Sequence, residues 1–357
     1  MKPMTKHERM RAFVRGEAHD RIPFAQYDNM VPNQEIWEVL GRDNVGLIRW
    51  ARPYRIEYPH CRLELEPITR EDFVGERRIM HTPVGSLEAL YQTEPAYGSF
   101  APRERYVKEI ADYDILDAYL ADAVVIYDTT QLDKDLRELG EDGIPMSPVQ
   151  RTPWQQLWVE WVDIADLAWH MVEDEERVLH SIGLMERIQR QIYDCIYQAE
   201  VIYVDIPDNL TAPMISPTHF RRFCLPHYLE LADRLAEKGT PMFCHADGDL
   251  KPLWGLIGES GLNGLDSFSP APDNDTSVGD AVAAWPKMRL ACNYPSSVHL
   301  NSPEDIRQNT RAMLAQGGHT GRLQIQLSEN IPMHRWRISL PIIMEEILAY
   351  GTPECYR

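Results

Sequence analysis

Positive charge is scarce in this chain: 36 Lys and Arg stand against 55 Asp and Glu, a formal net charge of −19 over 357 residues. Phosphate backbones and anionic bilayers attract concentrated positive charge, so neither nucleic acid nor a membrane is expected as a partner. A spanning run is missing too, since no apolar stretch approaches the roughly 20 residues that a bilayer crossing requires. The first ten residues, Met-Lys-Pro-Met-Thr-Lys-His-Glu-Arg-Met, hold no apolar signal core, and a cytoplasmic location is the expectation. The six cysteines, Cys61, Cys195, Cys224, Cys244, Cys292 and Cys355, show no CxxC spacing. That argues against zinc ribbons, iron–sulfur clusters and a disulfide framework, and for reduced thiols. No internal repeat or low-complexity linker interrupts the chain, although 26 prolines punctuate its loops, so one domain over residues 1–357 is the economical reading.

What is present is enough apolar material, 44% of residues, for a full core. From about residue 200 onward, strand-like runs at 201–206, 241–245, 264–268, 290–293 and 323–327 alternate with helical segments, as βα units require. Ser216-Pro217 reads as a helix N-cap followed by proline at the first helical position, and Phe220, Phe223, Leu225, Tyr228, Leu231 and Leu235 supply an apolar face. Ser302-Pro303-Glu304-Asp305 repeats the device. Upstream, 8–14, 154–171 and 175–199 read as helices, and 21–26, 124–126 and 144–149 as strands. Residues 50–120 read as extended segments joined by turns, a β-rich insertion. A strand count near eight makes an α/β fold of the (β/α)8 TIM-barrel type the first choice. An open doubly wound sheet is second, without a GxGxxG turn to support it.

Polar residues gather where these strands end. His245 and Asp247 leave the run Thr240-Pro-Met-Phe243, with Gly248 behind them to turn the backbone away, and Glu329 follows the last strand-like run. At the C-terminal mouth of a barrel, one nitrogen and two oxygen donors with an open position suit a catalytic metal such as Zn²⁺. The alternative for the His-x-Asp pair is a strand-end histidine bonded to a turn. Asp205 and Asp208 leave the preceding strand next to Tyr203, as ligand, general base or substrate contact, or else as caps of the loop before Ser216. Asn293, Asp266 and Ser269 stand at the same presumed level in supporting positions. Tyr27, Asp28, Gln150 and Arg151 follow the ends of two further strands as candidate substrate contacts, with strand-to-loop turns and a surface ion pair as the plainer readings. Trp154, Trp158 and Trp161 share one helical face and favour core packing over a pocket, with Trp169 further along.

Together, Glu8-Arg-Met-Arg-Ala-Phe-Val-Arg-Gly-Glu17 with Asp20-Arg-Ile-Pro23, Ile215-Ser-Pro217 with Leu225-Pro226, Phe243-Cys-His-Ala-Asp-Gly248 and Glu329-Asn-Ile-Pro332 resemble the uroporphyrinogen decarboxylase superfamily over nearly the whole chain. The resemblance leans towards its cobalamin-dependent methyltransferase branch. True decarboxylases carry an early RQAGRY-type stretch whose arginines hold porphyrin carboxylates, and Phe24-Ala-Gln-Tyr-Asp-Asn-Met30 stands there instead. The methyltransferases carry an HxC and a later cysteine as zinc ligands; His245 matches, and Asp247 and Glu329 replace the cysteines.

The resemblance implies a methyltransferase moving methyl from an O-methyl donor, a methoxylated aromatic compound, to the Co(I) corrinoid of a carrier protein. Carboxylates in place of thiolates leave a bound metal, zinc or another divalent ion, a stronger Lewis acid, suited to an ether oxygen rather than a thiol. Asp205, Asp208 and Asn293 then become the candidate catalytic groups. A metal-independent decarboxylase of a small aromatic or heterocyclic acid is the alternative, and a non-enzymatic docking scaffold the third. A homodimer stays open.

Overall fold

The computed structural model describes residues 2–94 and 99–357. The chain divides into two compact units: Met1–Pro53 with Thr129–Val149 and Ile196–Arg357, and Tyr54–Asp128 with Gln150–Cys195.

In the first unit, eight parallel strands among the described residues close into a barrel. They are β1 (Phe24–Tyr27), β2 (Gly46–Trp50), β3 (Gly143–Pro148), β4 (Val204–Ile206), β5 (Met242–His245), β6 (Gly264–Phe268), β7 (Arg289–Asn293) and β8 (Leu323–Leu327). Each pairs with its neighbours in chain order, and β1 closes on β8 through Phe24 opposite Ile325. Near-continuous burial along β3, β6 and β8 follows from covering both faces of a parallel sheet. The result is the expected TIM barrel.

The helix Lys6–Arg15 packs its apolar face into that barrel. Thr5 and Glu8 form a reciprocal capping box at its start, and Gly16, at φ 72°, ends it in the left-handed conformation that glycine adopts without a Cβ penalty. Met10, Phe13 and Val14 join Ala25, Ile48, Ile144, Met146, Tyr203, Phe243 and Ala291 in one buried cluster. His7 Nδ1, 2.8 Å from the Gly143 carbonyl, ties the helix to the first residue of β3, so the helix seals the N-terminal end.

The second unit contains the β-rich insertion. Arg62–Arg70, Phe73–Thr82, Gly85–Glu94 and Ser99–Glu104 form an antiparallel sheet in chain order, and part of the expected insertion, 95–98, lies outside the described residues. Here the reading of 124–126 as a barrel strand is corrected. Val124–Tyr127 pairs antiparallel with Tyr54–Glu57, and its partly exposed residues pack as a two-stranded ribbon. The eighth barrel strand is instead β2, Gly-Leu-Ile-Arg-Trp, which was not among the strand-like runs read from the sequence. The helix expected over 154–171 is also interrupted, by a π-turn at Leu157–Trp161 before a new helix at Ile164–Glu173. Trp154 and Trp161 are buried, Trp161 against Tyr106 and Tyr119, as the core-packing reading required, whereas Trp158 is half-buried and Trp169 is exposed.

Ser216 does cap, although inside a kinked segment. At φ 53° it breaks Ala212–His219, and its Oγ accepts from the His219 N–H.

Candidate active site at the barrel mouth

Strand β5 buries Met242, Phe243 and Cys244, then delivers His245 to its C-terminal end. Beyond it the chain must pass very close to its neighbour: a Cβ on Gly248 would meet Leu210 O at 2.7 Å and Thr211 Cβ at 2.3 Å. Only glycine fits there, and the turn that it permits brings Asp247 back towards the histidine. His245 Nε2 lies 3.3 Å from Glu329 Oε1 and 3.7 Å from Asp247 Oδ2. One donor atom from each of the three residues lies within 4.8 Å of the others.

The other face of the imidazole is equally structured. Nδ1 is 3.3 Å from Tyr27 Oη and 3.7 Å from Asp266 Oδ2, and the Tyr27 hydroxyl donates to Asp266. Gln326 Nε2 donates to the second Asp266 oxygen at 3.0 Å. With the phenol proton committed to Asp266, an Nδ1–H finds its acceptors on this side and Nε2 is left facing Asp247 and Glu329. A ligating histidine is commonly oriented by such a carboxylate.

Glu329 is held as firmly. Ser267 Oγ donates to its Oε1 at 2.9 Å, Ser328 Oγ donates to Ser267 Oγ, and Asn293 Oδ1 accepts from the Ser328 and Glu329 N–H groups at 3.1 and 3.2 Å. Ser267 adopts φ 49° beside a register shift in β6, a strained conformation for a residue with a Cβ, and this aims its hydroxyl at Glu329.

The electrostatics point the same way. Burial by itself would depress the His245 pKa, but hydrogen bonds with Asp247, Asp266 and Glu329 hold it well above the ordinary imidazole value. Three carboxylates around one imidazole leave negative charge that a divalent cation would neutralise. The Asp247 and Glu329 side chains are 29% and 34% exposed, so an ion or substrate can reach them from solvent, whereas Asp266 is 1% exposed and lies behind. Burial, together with Asp266 and Asp205, raises the Tyr27 phenol well above its usual range, so it remains a donor. Cys244 offers no thiolate: burial first, then Asp208 and Asp205, push its pKa well up, and its sulfur lies 3.0 Å from Tyr228 Oη. The donor set is thus thiolate-free, of the kind that holds a hard or borderline divalent ion.

Of the other sequence candidates, Asp205 is fully buried on β4, and Asp208 is fully buried with Oδ2 accepting from Tyr228 at 2.9 Å. Tyr203 belongs to the buried cluster, edge-on to Phe243. Asp28 bonds to Arg49 Nε at 2.6 Å and Asn33 Nδ2 at 2.6 Å. Gln150 and Arg151 lie in the other compact unit, where the Gln150 carbonyl accepts from Gln189 and Arg151 Nε is 3.7 Å from Glu160. Sequence reasoning missed Gln326 and Ser267. Gln324 and Gln326 alternate with leucine and isoleucine in β8, and buried amides in a barrel strand signal a polar layer that needs partners.

Fold and site together define a (β/α)8 barrel with a carboxylate-rich, metal-capable centre at its C-terminal mouth. Residues 98–334 match the family described as uroporphyrinogen decarboxylase (URO-D), and the chain belongs to that family. No curated protein sequence matches the chain. Among solved structures it is similar to a methyltransferase from Methanosarcina mazei, with 11% identity, a TM-score of 0.60, and coverage of 97% of this chain and 99% of that one. A B12-independent methionine synthase from a Shewanella species aligns with 8% identity and a TM-score of 0.43, covering 89% of this chain and 85% of that one. At 11% identity the likeness to the Methanosarcina methyltransferase is one of fold. Among the described residues no helix is long and apolar enough to cross a membrane.

Proposed function

We propose that this chain is a methyltransferase that takes methyl from an O-methyl donor, a methoxylated aromatic compound, and passes it to the Co(I) corrinoid of a separate carrier protein. The observation that carries the reading is the convergence of His245, Asp247 and Glu329 without a thiolate. Family membership and the fold-level likeness to a methyltransferase support it.

His245, Asp247 and Glu329 would hold a divalent ion, zinc being the first choice. When bound, such an ion supplies Lewis acidity towards an ether oxygen, and it is more acidic with carboxylate ligands than with thiolates. Asp266 and Tyr27 keep the His245 ring oriented with Nε2 towards the mouth. Ser267 and Asn293 keep Glu329 at the same level. A protonated acid, Asp208 or Glu329, would assist the departing oxygen, and Tyr228 holds Asp208 in place through a 2.9 Å hydrogen bond; Asp205 is the candidate general base or substrate contact beside it. The methyl acceptor is the corrinoid, itself a substrate, so no protein nucleophile is required.

A second reading, decarboxylation of a small aromatic or heterocyclic acid without metal, draws on the family match. Anaerobic incubation of the metal-loaded chain with Co(I) corrinoid and a panel of methoxylated aromatics separates the two. A donor-dependent conversion of the visible spectrum to that of methyl–Co(III) is expected with at least one donor. Silence across the panel, together with CO₂ release from an aromatic acid by metal-free protein, would establish the second reading.

A further inference from the structure

The N-terminal end of the barrel, opposite His245, carries a recess of about 220 Å³ whose lining includes Arg15, Arg289, Thr240 and Asn263. Among the described residues no carboxylate lines it. Arg289 opens β7, and its Nε is shielded from solvent without a hydrogen-bond partner. Its guanidinium carbon lies 5.5 Å from the centre of the Phe243 ring, which fixes the group over an aromatic face. The residue is half-buried, and burial pushes its pKa down to about 10 against a raising influence from the Tyr356 phenol.

Local sequence makes room for this arrangement. A Cβ on Gly16 would lie 2.9 Å from Arg289 Nη1, so the same glycine that ends the first helix also admits the guanidinium. Arg15, in the last turn of that helix, is exposed and borders the same recess. Elsewhere Arg9, Arg42, Arg49, Arg177, Arg307 and Arg311 all meet carboxylates. In a chain of net charge −19, two arginines lining one carboxylate-free recess call for an external anion.

We propose that this recess binds a small free oxyanion, a phosphate or carboxylate group, between Arg289 and Arg15. The planar guanidinium offers parallel N–H donors that match either anion, and its half-buried placement over Phe243 holds them in a fixed orientation. The site is independent of the methyl-transfer reading, since it uses none of the residues at the barrel mouth.

The test is isothermal titration of the full chain, stripped of metal by chelation so that the mouth cannot compete. Inorganic phosphate and acetate are titrated separately at constant ionic strength, with chloride as the control. A saturable single site for phosphate identifies a phosphate ligand, and one for acetate alone identifies a carboxylate ligand. Either site is expected to weaken about ten- to a hundred-fold in Arg289→Met, the loss of charge-assisted hydrogen bonds. Arg15→Gln alters an exposed residue, keeps the fold testable if the Arg289 variant does not fold, and is expected to weaken binding several-fold. Absence of saturable binding by both anions, or wild-type affinity in a folded Arg289→Met or in Arg15→Gln, overturns the proposal.

Discussion

Replacing Asp266 with Asn tests whether the buried side of His245 governs the exposed side. The Asp266 carboxylate is 3.7 Å from Nδ1 and accepts from both Tyr27 and Gln326. Two unit charges at 3.7 Å in a medium of effective dielectric 20 interact by about 4.5 kcal/mol, which bounds the effect from above. Supporting carboxylates of ligating histidines are worth about ten- to a hundred-fold in metal affinity, or about 1.4–2.7 kcal/mol, a fraction of that bound. The amide also accepts at one atom where the carboxylate accepted at two, so Tyr27 or Gln326 loses a partner at a cost of about 1–3 kcal/mol in stability. A domain with about 5–15 kcal/mol in hand remains folded. Competition for Zn²⁺ against a chromogenic chelator at neutral pH, on protein verified by thermal melting, reads the affinity directly. Asp266→Asn is expected to bind about ten- to a hundred-fold more weakly than wild type. A folded variant with unchanged affinity would refute the claim that Asp266 orients the ligand.

Three further outcomes follow from the same geometry. Ser267→Ala removes the donor to Glu329 Oε1 and is expected to weaken metal binding by about 1 kcal/mol, several-fold in the same competition assay. Gly248→Ala forces a Cβ onto Leu210 O and Thr211 and should cost about 1–3 kcal/mol in urea unfolding; an unchanged midpoint would show that the turn can relax. His299, fully buried with Nδ1 2.6 Å from Ser339 Oγ, has its pKa pushed down to about 4 by burial. The unfolded chain therefore binds the extra proton between about pH 6.5 and 4, so this group's contribution is full above that window and falls by about 3 kcal/mol as the pH drops through it. His299→Gln should flatten that part of the stability curve in chemical denaturation, and an identical pH dependence would count against the burial argument.

Much of the barrel was legible because its strands from β4 onward are short, apolar and bounded by capped helices, signals that depend only on local spacing. The exchange of β2 for Val124–Tyr127 shows where such reasoning stops. Val-Val-Ile-Tyr has the composition of a buried strand, yet its partner is Tyr54–Glu57 and it stays partly exposed, whereas Gly-Leu-Ile-Arg-Trp enters the barrel with Arg49 turned to Asp28, Asp135 and Glu138. Pairing partners decide these cases, and they are distant in sequence. His245, Asp247 and Glu329 could be grouped in advance because each lies at or just beyond a strand end. The supports behind them could not be assigned partners: the contact of Asp266 with Tyr27 spans 239 residues, and the bond of Ser267 to Glu329 depends on a left-handed backbone that no serine advertises.

The central claim is that His245, Asp247 and Glu329 form a thiolate-free metal centre. Elemental analysis of the full chain, purified without chelators and dialysed against Zn²⁺, tests it most directly beside the Asp247→Ala and Glu329→Ala variants. The account predicts about one tightly held divalent ion per wild-type chain and its loss from both folded variants. A metal-free wild type, or equal retention by the variants, would contradict it.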